Sequence, residues 1–128
     1  MKVLVTGSHE WVNEKAIERE FRKLPVGTTI IHGACPTGAD ALADKAAMKF
    51  GFPIRRYPAD WEAERLATGS PKAAGPKRNS RMIREEHRSG DPVAFALAFT
   101  PDLVRSRGTK DCVERARKVG IRVHIITE

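Results

Sequence analysis

Short apolar runs that are stopped by glycine or proline and followed by helix-like stretches constrain this chain more than any other feature. Lys2–Thr6 carries Val3, Leu4 and Val5 and meets Gly7; Thr28–His32 meets Gly33; Val93–Phe99, the most apolar run, is followed by Pro101. Runs of this length bounded by turn residues read as buried strands. Between them the period changes. Asn13 caps a predicted helix to Leu24, with Ile17, Phe21 and Leu24 on one face, and Pro25 and Gly27 end it. An alanine-rich helix is predicted over Thr37–Phe50, with Thr37 as N-cap and Gly51 as its stop. Pro53–Pro58 reads as a third, weaker strand, and Asp60 caps a short helix over Trp61–Leu66. Ala67–Lys77, with Gly69, Pro71, Gly75 and Pro76, reads as a loop. Arg78–Arg88 is predicted helical with Met82 and Ile83 inward, and Thr109–Val119 with Cys112, Val113, Ala116 and Val119 on one side. Ile121–Ile126 is the last strand.

Strands that alternate with helices build parallel sheets covered on both faces. The expected fold is α/β: a Rossmann-like parallel sheet of about five strands in the order 3-2-1-4-5. The whole chain, 1–128, then forms one domain. In that order the crevice opens between the carboxyl ends of strands one and four. The loops Gly7–Trp11, Gly33–Asp40 and Thr100–Thr109 should share its rim.

Composition narrows the classes of function. Hydrophobic residues make up 41% of the 128, enough for one core and too many for a disordered chain. No apolar run approaches the ~20 residues of a membrane span. The start, MKVLVTGSHEWVNE, lacks the apolar stretch of a secretory signal, so a cytoplasmic protein is expected. Cys35 and Cys112 suit reduced thiols rather than a disulfide framework. His9, His32, His87 and His124 lack zinc-like spacing, so neither a metal site nor a cofactor is expected. A net charge of +7 favours an anionic partner without saying which, a nucleotide or a nucleic acid, or else a charged face that meets only solvent.

Four segments carry candidate chemistry. Gly7-Ser8-His9 joins a strand to a helix, where glycine admits a phosphate to the backbone and Ser8 donates a hydrogen bond. In the stretch from His32 to Asp40, Gly33 and Gly38 flank a turn that opens a helix. Free N–H groups and the helix dipole favour an anion there, although Thr37 with Asp40 also fits a structural capping box. Arg78 and Asn79 are expected to begin a helix beside the Gly75-Pro76 turn, with the guanidinium able to clamp a phosphate. Gly108 and Thr109 repeat the glycine-then-hydroxyl arrangement, and Asp111 falls in a first helical turn, where a carboxylate also suits the dipole for purely structural reasons. Trp11 and Trp61 are either surfaces for stacking a base or core residues.

The succession Gly7-Ser8-x-x-Trp11, His32-Gly33-x-x-x-Gly38-Ala39-Asp40, Ala59-Asp60-Trp61, Ala74-Gly75-Pro76-x-Arg78-Asn79-x-x-Met82 and Gly108-Thr109-x-Asp111 resembles the YspA-type branch of the SLOG superfamily. It runs from Met1 to about Val123. The superfamily is Rossmann-like and includes the LOG phosphoribohydrolases, DprA and sensor domains for nucleotide-derived ligands. The resemblance implies a ligand site at Gly7, Ser8, Trp11, Gly33, Thr37, Gly38, Ala39, Asp40, Arg78, Asn79, Gly108 and Thr109. Arg78 maps onto the functional arginine of the LOG enzymes. Arg105 and Ser106 stand in place of their paired glycines, and Cys112 in place of their catalytic glutamate, with Asp111 one residue earlier. His9 stands where this branch usually has arginine. Three functions follow. The first is a sensor or binding module for a nucleotide-like ligand. The second is hydrolysis of the N-glycosidic bond of a nucleoside monophosphate, with Asp111, Asp40 and Arg78 as candidate catalytic residues. The third is nucleic-acid binding. LOG relatives also imply a homodimer.

Overall fold

A computed structural model describes residues 1–128 as ten elements: β1 (Lys2–Gly7), α1 (Glu14–Phe21), β2 (Thr29–His32), α2 (Ala39–Phe50), β3 (Ile54–Arg56), α3 (Trp61–Thr68), α4 (Ala74–Glu86), β4 (Phe95–Phe99), α5 (Arg107–Lys118) and β5 (Val123–Ile126). The five strands form one parallel sheet in the order β3-β2-β1-β4-β5, as expected.

The winding reverses between β3 and β4. Right-handed crossovers therefore put the early helices on one face and the late ones on the other. The cores follow this division. Val3, Val5, Ile30, Leu97 and Phe99 face Ile17 and Phe21 of α1 and Ala43, Ala46 and Ala47 of α2. Leu4, Ile31 and Ala96 face Met82 and Ile83 of α4 and Cys112 and Ala116 of α5. Neighbouring strand residues thus serve opposite layers, which is why these strands read as continuous apolar runs rather than alternating ones.

Several boundaries differ from expectation. Asn13 caps α1, accepting from the Ala16 amide at 3.1 Å, but the helix ends at Phe21 rather than Leu24. Leu24 precedes a proline, a position that disfavours helical backbone, and a turn closes there with its amide on the Phe21 carbonyl. Asp60 caps α3 through the Ala63 amide at 2.9 Å.

The largest correction concerns α4. It begins at Ala74, so Gly75 and Pro76 lie inside its first turn and Arg78 and Asn79 in its second. Proline is tolerated there because first-turn amides have no intrahelical acceptor to lose. Gly75 fits because Trp61 of α3 packs against it: a Cβ would lie 3.2 Å from the indole ring. α4 also stops at Glu86, two residues before Arg88.

At α2 the N-cap is Gly38 (φ 75, ψ −145), with no side-chain capping bond, so the expected Thr37 cap does not form. α5 starts at Arg107 rather than Thr109. β3, β4 and β5 are each shorter than the apolar runs that announce them. No helix is long and apolar enough to cross a membrane.

Candidate functional site

β1 and β4 lie side by side where the winding changes direction, and their carboxyl ends meet with Gly7 opposite Phe99. Gly7 is required by closeness, since a Cβ would lie 2.4 Å from the Ala39 Cβ and 2.5 Å from the Phe99 carbonyl oxygen. The chain then turns at Ser8, whose amide donates to that Phe99 carbonyl at 2.9 Å.

Ser8 does more than the sequence suggests. Its carbonyl accepts from the amides of Ala39 (3.0 Å) and Trp11 (3.2 Å), so the β1–α1 loop itself caps α2. Its hydroxyl accepts from the Glu10 amide at 3.1 Å. This explains why Thr37 is left exposed without a capping role. The amides of Gly38, Asp40 and Ala41 take no protein acceptor.

Asp40, one residue into α2, is only 7% exposed. One carboxylate oxygen accepts from the Cys35 amide at 3.2 Å. Burial pushes its carboxyl above the usual range, against the pull of the Cys35 and Gly33 amides and Arg78.

Behind it lies a network that sequence reasoning did not find. His32 is buried, its Nδ1 accepts from the Ala34 amide (2.9 Å), and its Nε2 is 2.7 Å from Asp44. The accepting Nδ1 fixes the proton on Nε2, which donates to Asp44. Arg56 grips the same carboxylate at 2.6 and 3.1 Å and is the main cause of its lowered pKa. The available signal was positional: Asp40 and Asp44 are four apart on one helix, and both follow a strand-terminal histidine.

From the other layer, Arg78 reaches across the top of the sheet. Its Nη1 donates to the carbonyls of Gly33 and, at 3.3 Å, Tyr57, while Nε donates to Asn79 Oδ1 at 2.7 Å. A Cβ on Gly33 would lie 2.5 Å from Nη1. Arg78 is therefore a clamp that ties the ends of β2 and β3 to α4, with Nη2 left without a protein acceptor. That differs from the free guanidinium at a helix start that was expected.

Asn79 is buried and links α4 to α5. Its amide nitrogen donates to the Gly108 carbonyl (3.3 Å) and to Asp111 (3.0 Å). Arg115, one turn further along α5, donates to the same Asp111 oxygen at 2.9 Å. Gly108 is exposed and Thr109 buried in the first turn of α5, where the amides of Arg107, Gly108 and Thr109 have no protein acceptor.

Cys112 lies beneath. It is almost fully buried, and burial pushes its thiol up to about 12, with Thr6 as hydrogen-bond partner and Asp40, Arg78 and Asp111 nearby. It stays protonated at neutral pH and is a poor nucleophile. The structure thus brings Gly7, Ser8, Gly33, Gly38, Ala39, Asp40, Arg78, Asn79, Gly108, Thr109 and Asp111 to one end of the sheet.

Trp11 is placed differently. It is buried against Phe99 (ring centroids 5.7 Å apart), and its indole N–H donates to the Asn13 carbonyl, so it belongs to the core beneath the β1–α1 loop. On the α3 side, Arg78 also borders a hollow of about 340 Å3 shared with Asp60, Glu64, Lys77 and Arg81.

An open sheet with a winding reversal, and polar groups from three helices gathered at its carboxyl edge, defines a Rossmann-like α/β protein. Residues 1–63 match the model of the YspA, cpYpsA-related SLOG family. The chain is also 34% identical over 131 residues to the Gene 61 protein of Mycobacterium phage D29, an alignment spanning 95% of this chain and 93% of that one. It belongs to the YspA-related SLOG family. Among solved structures, LpCGTa in complex with UDP shares the fold, with a TM-score of 0.53 at 14% identity. That likeness covers 99% of this chain but 31% of the other, so the chain spans about a third of that protein's length.

Proposed function

We propose that this protein binds a nucleotide or nucleotide-derived ligand in the crevice between β1 and β4, as a binding or sensing module. The observation that carries the reading is Asp40: a buried carboxylate standing between two helix starts whose amides lack protein acceptors. The first turn of α5 offers the Arg107, Gly108 and Thr109 amides to a phosphate, and the Nη2 of Arg78 adds a charged donor. Asp40 and Asp111 offer acceptors to sugar hydroxyls. The inert Cys112 thiol, in the position of the LOG glutamate, favours binding over turnover.

The hydrolytic alternative rests on Asp111. Its Asn79 and Arg115 contacts fall on one oxygen, which leaves the other for a developing cationic sugar. A homodimer and a cytoplasmic setting remain part of the proposal.

One experiment addresses both readings. Purified protein is incubated with nucleoside mono-, di- and triphosphates and ADP-ribose derivatives, and thermal shift and released base are followed together. A binding module gives a saturable shift with no released base. Asp40→Asn keeps the size and an acceptor for the Cys35 amide but loses the charge, so affinity should fall at least about tenfold, as for loss of a charge-assisted hydrogen bond. Wild-type binding by no member of the panel, or Asp40→Asn binding unchanged, overturns the site assignment. Base release that falls about 100-fold in Asp111→Asn, the scale of losing one electrostatic stabiliser, replaces the sensor reading with the hydrolase.

A further inference from the structure

The net positive charge of this protein is confined to one segment of the chain. Between Lys72 and Arg122, thirteen Lys and Arg face six Asp and Glu, while the rest of the chain carries ten of each. The whole net charge of +7 therefore belongs to the segment that builds α4, β4 and α5.

Pairing sharpens the contrast. On the α1–α2 face, Lys45 and Lys49 sit within 2.9 Å of Glu14 and Glu18, and Arg19, Arg22 and Lys23 also find carboxylates. Only Lys15 there has none within 4.0 Å. On the α4–α5 face, exposed Arg84, Arg88, Arg117, Lys118 and Arg122 all lack a carboxylate partner. Such a surface repels itself and lowers stability, a cost offset when a polyanion covers it.

The face also has relief. A groove of about 350 Å3 runs between the C-terminal halves of α4 and α5, with Arg84 and His87 on one wall and Arg115 and Lys118 on the other. It lies away from the crevice, toward the amino ends of the strands.

We infer that this groove and its flanking cations form a binding surface for the phosphodiester backbone of a nucleic acid, separate from the nucleotide crevice. Arginine predominates among the unpaired cations, and its fork matches pairs of phosphate oxygens better than an ammonium does. α5, twelve residues long, extends for ~18 Å, enough to follow about five phosphates of one strand at ~3.4 Å each. A membrane surface fits less well. The apolar side of α5 (Cys112, Val113, Ala116) is turned into the core, so the basic face has no continuous apolar stripe to insert. No base-reading element projects from the face, so binding should be largely independent of sequence.

The test is fluorescence anisotropy with labelled 25-residue single- and double-stranded oligonucleotides of mixed sequence, from 50 to 200 mM salt. Binding is expected, with log K falling linearly against log salt at a duplex slope of about −4 to −5, as for five phosphates neutralised. The exposed triple change Arg84→Glu, Arg117→Glu, Lys118→Glu should weaken it at least tenfold and shallow the slope by about 2 to 3. The matched change Lys15→Glu, Lys45→Glu, Lys49→Glu on the opposite face makes the same net charge difference and should cost less than threefold. Far-ultraviolet circular dichroism of both variants confirms folding. Absence of binding at 50 mM salt, equal loss in the two variants, or equal affinity for polyglutamate or phosphatidylserine vesicles would overturn the inference.

Discussion

Glu86→Ala should remove about 3–5 kcal/mol of stability, the cost of stripping the partner from buried opposite charges. The wild-type carboxylate is buried and ties three elements together. It accepts from Lys2 at the start of β1 (3.3 Å), Arg55 on β3 (2.6 Å) and the Tyr57 hydroxyl. Lys2 also reaches the Glu86 carbonyl and, at 3.1 Å, Asp91 in the turn before β4. Alanine leaves the Lys2 ammonium buried with Asp91 as its only carboxylate partner. Urea unfolding followed by circular dichroism measures the loss, and a change below 1 kcal/mol would show that the cluster is solvated.

The same cluster sets a pH window. Burial alone would raise the Glu86 pKa, but Tyr57, Arg55 and Lys2 together hold it below its ordinary 4.5. The carboxylate therefore contributes stability that is full above about 4.5 and is lost as pH falls through its lowered value. Burial, helped by Glu86, pushes the Tyr57 phenol up to about 12. Its contribution is full below 10 and is lost as pH rises towards 12. Glu86→Gln should flatten the acid limb of the stability profile and weaken the alkaline one.

The second large effect is expected at Gly38. A Cβ there would lie 2.3 Å from the Ser8 carbonyl oxygen and 2.4 Å from the His9 backbone. All of these are main-chain atoms with nowhere to swing. The residue also adopts φ 75, ψ −145, a region close to that reserved for glycine. Strain and overpacking at roughly 1–3 kcal/mol each put Gly38→Ala at about 3 kcal/mol or more. Gly51→Ala supplies the comparison, since it has a similar φ of 73 with nothing within 4 Å, and should cost only about 1–2 kcal/mol. If the two variants unfold at the same urea concentration, the contact between the β1–α1 loop and α2 is not a firm one. If the contact is firm, Gly38→Ala should also displace that loop and abolish the nucleotide-induced thermal shift.

Much of this was legible in the chain. Glycine stops and apolar runs located the five strands, alternation with helices made the sheet parallel, and the order came from the commonest Rossmann-like arrangement of five strands. The start of α4 was hidden because Gly75-Pro76 looks like a breaker; the proline is tolerated because it falls in the first turn, and the glycine is favoured by the packing of Trp61 from another helix. Thr37 looked like a cap because the competing acceptor, the Ser8 carbonyl, is distant in sequence and invisible to side-chain patterns. Arg78, Asn79, Asp40 and Asp111 do converge, but local chemistry could not reveal that Arg78 spends its Nη1 on the carbonyls of two neighbouring loops and its Nε on Asn79. The His32–Asp44–Arg56 network was hidden for the same reason: its members come from β2, α2 and β3.

The two tryptophans occupy opposite environments, and this gives the molecule a built-in optical readout. Trp11 is sealed in the core beneath Ser8, whereas Trp61 is 51% exposed and touches α4 at Gly75. The blue part of the native emission belongs to Trp11, and the fraction reached by an aqueous quencher such as iodide belongs to Trp61. Loosening of the β1–α1 loop would therefore redden the spectrum without changing quenching at Trp61. Separation of α3 from α4 would do the reverse. Two events at opposite sides of the crevice can thus be told apart by colour and by quenching in the unlabelled protein.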